Sequence, residues 1–308
     1  MLIEHLQRLA YRHGREIAVI DDDRRVTFAE LWQQVDALAG QLGRQGLVPG
    51  QCAGISIKPE FRHFLTSLAL MRLGCVQITL PTYESAQYRK ALAEKAGVQV
   101  QLIDLAEHAL ADFAAIIPVY EFDQAGPAEH RLPSDEAACI YFVTSGTTGK
   151  PKLIPLSQRQ LFQQGTNWQY PPGQEIFWRP TPIEYNNSKR QRLYNLVSRS
   201  TNIFLDPTGR DMLEVVEHHG VTRLNLSVMQ SRHLLQNLRA TSRRLPDFCQ
   251  VRIGGSAVSP DLRAALVRDL TANLHITYAT SEFGSIATAG PGHHFDLEIT
   301  GVVHPGVD

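Results

Sequence analysis

The sequence predicts an α/β fold in which mostly parallel sheets are covered by helices on both faces, and three observations predict it. Short apolar and β-branched runs alternate with stretches of helical periodicity along most of the chain. Gly and Pro punctuate that alternation, as at Gly74 and Pro81. The 308 residues are 43% hydrophobic and 20% charged, enough to bury a substantial core and long enough for two packed units.

Each element has a local reason. Leu2, Leu6 and Leu9 stand at helical spacing within residues 2 to 13. "VTFAELWQQVDALAGQLGRQG" repeats the pattern, with Thr27 as N-cap and Glu30 three residues on, a capping box that opens a helix over 28 to 44. "QCAGISI" reads as a strand, Phe61 to Leu73 as a helix closed by Gly74, and "CVQITL" as a strand halted by Pro81. The alternation continues through helix 84–96, strand 98–103 and strand 139–144. It resumes with helix 211–219, strand 221–226, helix 228–238, strand 249–253, helix 260–270 and strand 274–278. The Pro- and Gly-bearing segment 123–135 marks the joint between a first α/β subdomain, 1–135, and a second, 136–290. Between 167 and 210, Pro, Asn and Arg are scattered without a readable period.

Composition removes several classes of function. Thirty basic against thirty-one acidic residues give a formal charge of −1, so no broad electrostatic surface for nucleic acid or an anionic membrane is expected. Cys52, Cys75, Cys139 and Cys249 form no C-x-x-C pair, which fits a reduced cytoplasm rather than a disulfide framework or a zinc knuckle. The N-terminal stretch carries charges every few residues, unlike a signal peptide, and "ALADFAAIIPVY" contains Asp112 and Pro118 and is shorter than the roughly 20 residues a membrane span needs.

The densest chemical signal is "YFVTSGTTGKPKLIP", Tyr141 to Pro155. A buried strand ends in a loop, 145–152, at the carboxyl end of the strand, where open α/β sheets bind ligands. Gly146 and Gly149 let backbone N–H groups turn towards a ligand, while Thr144, Ser145, Thr147 and Thr148 add hydroxyls and Lys150 and Lys152 add charge. The guest that chemistry fits is a polyphosphate. A polar surface turn is the plain alternative. A Walker A loop is disfavoured because Pro151 follows the Gly-Lys pair where a Mg²⁺-binding hydroxyl is needed.

"YFVTSGTTGKPK" resembles the phosphate-loop signature of the adenylate-forming superfamily, which includes acyl- and aryl-CoA synthetases, the adenylation domains of nonribosomal peptide synthetases, and luciferases. "VTFAELWQQVDALAGQLGRQGLVPGQCAGISI" is similar to that family's N-terminal stretch, and "RIGGSAVSP", "YATSEFG" and "TGVVHPGVD" follow in the family's order. The resemblance implies a layered αβαβα N-terminal domain, cut before the C-terminal domain, with 291–308 opening a small β-barrel subdomain. It implies ATP-dependent activation of a carboxylic acid as acyl-adenylate, for transfer to the thiol of coenzyme A or of phosphopantetheine on a carrier protein.

By the same resemblance, 144–150 grips the phosphates, Gly254, Gly255 and Ser256 with Tyr278 seat adenine, Lys152, Ser281 and Glu282 are catalytic, and Glu282 holds Mg²⁺. A carboxylate suits a hard divalent ion bridging phosphate oxygens. Tyr185, Asn186 and Ser227 are the residues expected to meet the substrate acid. The sequence departs from the family where Tyr185 and Gln158 stand in place of histidines and Ala279 in place of a glycine. "PKLIP" and Asn186 resemble aryl-acid ligases, in which an asparagine can hydrogen-bond a ring hydroxyl. Asn186 and Asn187 are equally compatible with a turn. Met229 suits a pocket wall or ordinary core packing. A fatty-acid ligase and a non-catalytic module that binds a nucleotide or an acyl-adenylate stay open as alternatives. The chain is expected to be a fragment of a longer enzyme. Two adjacent histidine pairs, His218–His219 and His293–His294, are expected to point their rings apart and hold no common ion.

Overall fold

The computed structural model describes residues 2–111, 115–119, 134–145, 151–166, 173, 175–206, 208–280, 284–292 and 302–303. In chain order these form α1 (Leu2–Arg12), β1 (Ile17–Asp21), β2 (Arg24–Thr27), α2 (Phe28–Arg44), β3 (Cys52–Ser56), α3 (Glu60–Leu73), β4 (Val76–Thr79), α4 (Ala86–Ala96), β5 (Val100–Ile103) and β6 (Ile116–Pro118). There follow β7 (Ala138–Ser145), β8 (Pro151–Ser157), α5 (Gln158–Thr166), β9 (Ile176–Trp178), α6 (Asn186–Val197), β10 (Thr201–Phe204), α7 (Met212–His219) and β11 (Arg223–Leu226). The last are α8 (Val228–Thr241), β12 (Gln250–Gly254), α9 (Pro260–Asp269), β13 (Leu274–Thr280), β14 (Gly284–Ala289) and β15 (Val302–Val303).

Capping sets several boundaries. The Thr27–Glu30 box opens α2 as expected, and Ser227 with Gln230 makes a second box at α8. Gly74, at φ +79, closes α3 in the left-handed conformation that a side chain would resist.

The strands divide into a six-stranded sheet, β6-β5-β3-β4-β7-β8, and a nine-stranded sheet, β15-β14-β13-β12-β11-β9-β10-β1-β2. Neighbours in the middle of each sheet are parallel, and antiparallel pairs occur only at the edges, β7 with β8, β1 with β2, and β13 to β15. The sheets cut the chain differently from the expected units. Residues 17–27 join the larger sheet, 138–157 join the smaller one, and Val302–Val303 pair with β14.

Helices α3 and α6 lie between the sheets. Phe61 and Phe64 of α3 meet Phe204 of β10, while α6 reaches β4 through Lys189 and β10 through Asn195. Outside the larger sheet, α7, α8 and α9 bury Val216, Leu234 and Leu266 against Val251 and Ile253. Outside the smaller sheet, α4 buries Leu92 against Ile78 and Leu80. The result is the layered αβαβα order. Successive residues of β10 show it directly, Phe204 packing into the central core while Ile203 and Leu205 face the outer one.

The region without a readable period holds β9, α6 and β10. Helix α6, "NNSKRQRLYNLV", is buried from Ser188 to Val197 although it is largely polar, so amphipathic patterning has nothing to mark. The four cysteines are buried, and burial pushes their thiols up to about 11 for Cys52 and about 12 for Cys75, Cys139 and Cys249. Such thiols are poor nucleophiles. Among the described residues no helix is long and apolar enough to cross a membrane.

Candidate active site

The segment expected to be one long loop is the end of a β-hairpin. Thr144 pairs with Lys152 and Ser145 with Pro151, so β8 returns antiparallel along β7. The strand character of "PKLIPLS" escapes a reading that ends β7 at Thr144, because Pro at both ends of "PKLIP" reads as loop. Gly146 to Lys150 and the Ser145 side chain lie outside the described residues. The hairpin's base is pinned twice, by Asn186 donating its side-chain N–H to the Val143 carbonyl and by Lys95 Nζ donating to the Pro151 carbonyl. Lys152 itself is exposed.

Beside that base, a cavity of about 290 Å³ opens between α6 and the carboxyl ends of the parallel strands, at the low end of small-molecule sites. Helix α6 contributes Asn186, Arg190 and Tyr194, one turn apart on one face. Across from them, the end of β12 and the turn after it contribute Gly254 and Gly255, and β13 contributes Thr277, Ala279 and Thr280. A Cβ on Gly254 would stand 3.0 Å from the Thr277 carbonyl oxygen, and Gly255 adopts φ +91. Only glycine gives this turn both its closeness to β13 and its left-handed backbone. A flat ring can therefore approach the main chain there.

Charge is distributed unevenly around α6. Arg192 forms an ion pair with Glu60 of α3 at 2.5 Å, and Glu60 also accepts from the Ile183 N–H at 2.8 Å. Lys189 Nζ donates to Thr79 Oγ1 at 3.0 Å and to Gln77 Oε1 at 3.3 Å, with no carboxylate among the described residues in ion-pair contact. Burial pushes its ammonium down to about 7, against the smaller opposing pull of Glu184. Glu184 is raised by burial even though it accepts from the Thr82 N–H and hydroxyl. Arg190 stacks over Phe142 of β7 at 4.6 Å and donates to the Thr280 carbonyl at 3.3 Å, linking both sheets across the cavity.

Other expected residues have different surroundings. Ser227 caps α8, its hydroxyl accepting from the Gln230 N–H, and the cavity is lined in this segment by Asn225 and Leu226. Tyr185 precedes α6 and stacks on Tyr83 at 5.0 Å. Ser256 is exposed, with its hydroxyl donating to the Gly255 carbonyl at 2.9 Å. Tyr278 is 57% exposed and lies between the cavity-lining residues Thr277 and Ala279 without lining the cavity itself. Ser281 and Glu282 fall outside the described residues. Met229 is 80% exposed, so core packing does not explain it. Gln158, in a histidine's place, is a structural tie, its Oε1 accepting from the Ile3 N–H at 3.1 Å and its Nε2 donating to the Met71 carbonyl at 3.1 Å.

One expectation is overturned by geometry. His218 and His219 do not point apart, because at the end of α7 their rings meet edge to face with centroids 4.6 Å apart. Their nitrogens and the Asp23 carboxylate all lie within 4.8 Å of one another. Adjacent residues leave a helix roughly 100° apart, but long rings can bend back together over the last turn. His293 and His294 lie outside the described residues.

Layered αβαβα architecture with a cavity at the strand carboxyl ends defines the N-terminal domain of the adenylate-forming superfamily. The chain belongs to the AMP-binding enzyme family, which matches residues 6–308. Phosphinothricin tripeptide synthetase PhsB of Streptomyces viridochromogenes is 26% identical over 309 residues, covering 90% of this chain and 25% of that protein. Enterobactin synthase component E of Escherichia coli is 33% identical over 174 residues, 47% of this chain and 32% of the relative. The chain thus spans a minor part of the length of these relatives. In fold it is similar to the N-terminal subdomain of Klebsiella oxytoca NpsA in complex with 3-hydroxybenzoyl-AMSN, with TM-score 0.81 and 21% identity over 94% of this chain and 75% of that one. It is also similar to the o-succinylbenzoate coenzyme A synthetase MenE of Bacillus subtilis in complex with AMP, with TM-score 0.83 and 20% identity over 93% and 76% of the two chains.

Proposed function

We propose that this chain is the ATP-binding portion of an acid:AMP ligase that activates a carboxylic acid, an aryl acid in preference to a fatty acid, as its acyl-adenylate. The observation that carries the reading is the cavity joining the Gly254–Gly255 turn to Asn186, beside the base of the Gly/Thr-rich hairpin. Asn186 must present its N–H to the Val143 carbonyl, which turns Oδ1 into the acceptor available to a ligand hydroxyl. Arg179, Asn187, Gln191 and Asn225 line the cavity, and a plain aliphatic tail would leave them without partners, whereas a substituted ring can bring polar groups to them. The NpsA complex, whose bound molecule is a 3-hydroxybenzoyl derivative, lends the same direction by likeness alone.

The reaction needs no protein nucleophile. An oxygen of the substrate carboxylate attacks the α-phosphorus of ATP, the bond to the bridging oxygen breaks, and pyrophosphate leaves. The chain's task is positioning and charge neutralisation. In this reading Thr144 to Lys152 grips the departing phosphates, Gly254 to Ser256 and Tyr278 seat the base, and Ser281 meets the α-phosphate. Glu282 is the carboxylate assigned to Mg²⁺, which when bound would neutralise phosphate charge. The acceptor in this reading is the thiol of coenzyme A or of phosphopantetheine on a carrier protein.

Acid-dependent exchange of labelled pyrophosphate into ATP tests the reading. Exchange driven by a hydroxybenzoate supports it. ATP binding without exchange for any acid favours a non-catalytic module for a nucleotide or acyl-adenylate.

A further inference from the structure

Resting on the acid-activating reading above, we infer that the preferred acid carries a second carboxylate, held deep in the cavity by Arg179, Gln191 and Asn225. The strands bring these groups together. Asn225 of β11 is in register with Arg252 of β12, and Leu224 is in register with Trp178 of β9. Arg179 follows Trp178 as Asn225 follows Leu224, so Arg179, Asn225 and Arg252 stand in one row across parallel strands spaced about 4.8 Å apart. All three line the cavity, and Gln191 of α6 covers the row.

The hydrogen-bond inventory of that row is incomplete in a specific way. Arg179 donates Nη1 to Gln191 Oε1 at 2.9 Å, while its Nε is buried with no partner. Gln191 Nε2 and both polar side-chain atoms of Asn225 are likewise buried without partners. Asn225 is only 3% exposed. Folded proteins pair the large majority of buried polar atoms, so a cluster of orphans packed in the wall of one cavity marks a set that a ligand completes once these side chains turn towards it.

The charge inventory selects the ligand. Two arginines meet here, since Arg192 Nη2 reaches the Arg179 carbonyl at 3.4 Å, yet Glu60 pairs only with Arg192. No carboxylate among the described residues lies in ion-pair contact with Arg179, and burial together with the Arg192 charge pushes its guanidinium down to about 10. Arg190 and Arg252 line the same cavity, and no Asp or Glu is among its described lining residues. A carboxylate supplies the missing negative charge and accepts from the guanidinium and from the Gln191 and Asn225 amides. An ammonium would add like charge, a hydroxyl would leave the cation uncompensated, and an alkyl tail would bury every orphan.

Matched acids test this directly. Calorimetric titration in the presence of AMP should show isophthalate binding at least tenfold more tightly than benzoate, or glutarate more tightly than pentanoate. No advantage for either diacid overturns the inference. Pyrophosphate exchange run in parallel separates the two claims. Exchange with benzoate but not isophthalate sinks the second carboxylate and leaves the ligase reading standing. Tight isophthalate binding with no exchange for any acid does the reverse. In Arg179→Gln the diacid preference should fall at least tenfold while the thermal midpoint holds or rises, because a buried charge without a counter-ion has been removed. Asn225→Leu, which removes two orphans, should behave alike. Undiminished preference in both variants overturns the assignment.

Discussion

Asn186, the first residue of α6, donates its side-chain N–H to the carbonyl of Val143, two residues before the hairpin end of β7. One amide thereby fixes the helix that walls the cavity against the strand that leads into the Gly/Thr-rich segment. Asn186→Ala should cost about 1 kcal/mol of stability, the worth of one such bond. Asn186→Asp sets a carboxylate against a carbonyl oxygen and should cost more, on the order of 1–3 kcal/mol. Urea unfolding ranks the two, and a weaker response of pyrophosphate exchange to the acid should accompany both. Equal stability of the Ala and Asp proteins would show that the contact is not made.

Lys189 predicts a pH dependence. Its ammonium is ordinary when unfolded, near 10.5, and about 7 when folded. Between those values the unfolded chain holds a proton that the folded chain has released, so this group's contribution makes stability rise with pH from about 7 to 10.5. Below pH 7 its full penalty is present. Lys189→Met should therefore stabilise the protein at pH 7 by on the order of a few kcal/mol and flatten that alkaline rise. Denaturant midpoints at pH 6, 7.5 and 9 measure it, and a rise of equal slope in both proteins would reject it.

Gln158 is expected to matter for folding and not for chemistry. In Gln158→Ala the Ile3 N–H and the Met71 carbonyl lose their partner, at about 1–3 kcal/mol for each group left buried and unpaired. The KM for ATP should not change. A several-fold rise in KM at unchanged stability would return this position to the active site.

Glu282→Ala should weaken ATP binding in the presence of Mg²⁺ far more than in its absence. Equal losses under both conditions would take Glu282 out of the metal role.

The frame was legible where a local rule acts alone. Thr27 and Glu30 announce α2, Gly74 ends α3, and the buried runs of β3 and β7 show as continuous apolar sequence. The site was half legible. Glycines and hydroxyls at close spacing single out the segment after β7, the residue types that the proposed phosphate chemistry calls for. The cavity was hidden because α6 is polar and buried together, its side chains answering to Glu60, Thr79, Asn202 and Thr280 from distant parts of the chain. Asn225 and Arg179 were missed for the same reason. A polar residue within a buried strand run, as in "RLNLS", is the one sequence signal that could have exposed Asn225.

Because the same twelve-residue helix both rivets the two sheets and lines the cavity, in the proposed reading selectivity and scaffold integrity share their parts. Retuning this domain for a new acid by mutating α6 should repeatedly loosen the molecule. Changes confined to the strand side, at positions such as Asn225, offer a route along which affinity can drift while the framework stays intact.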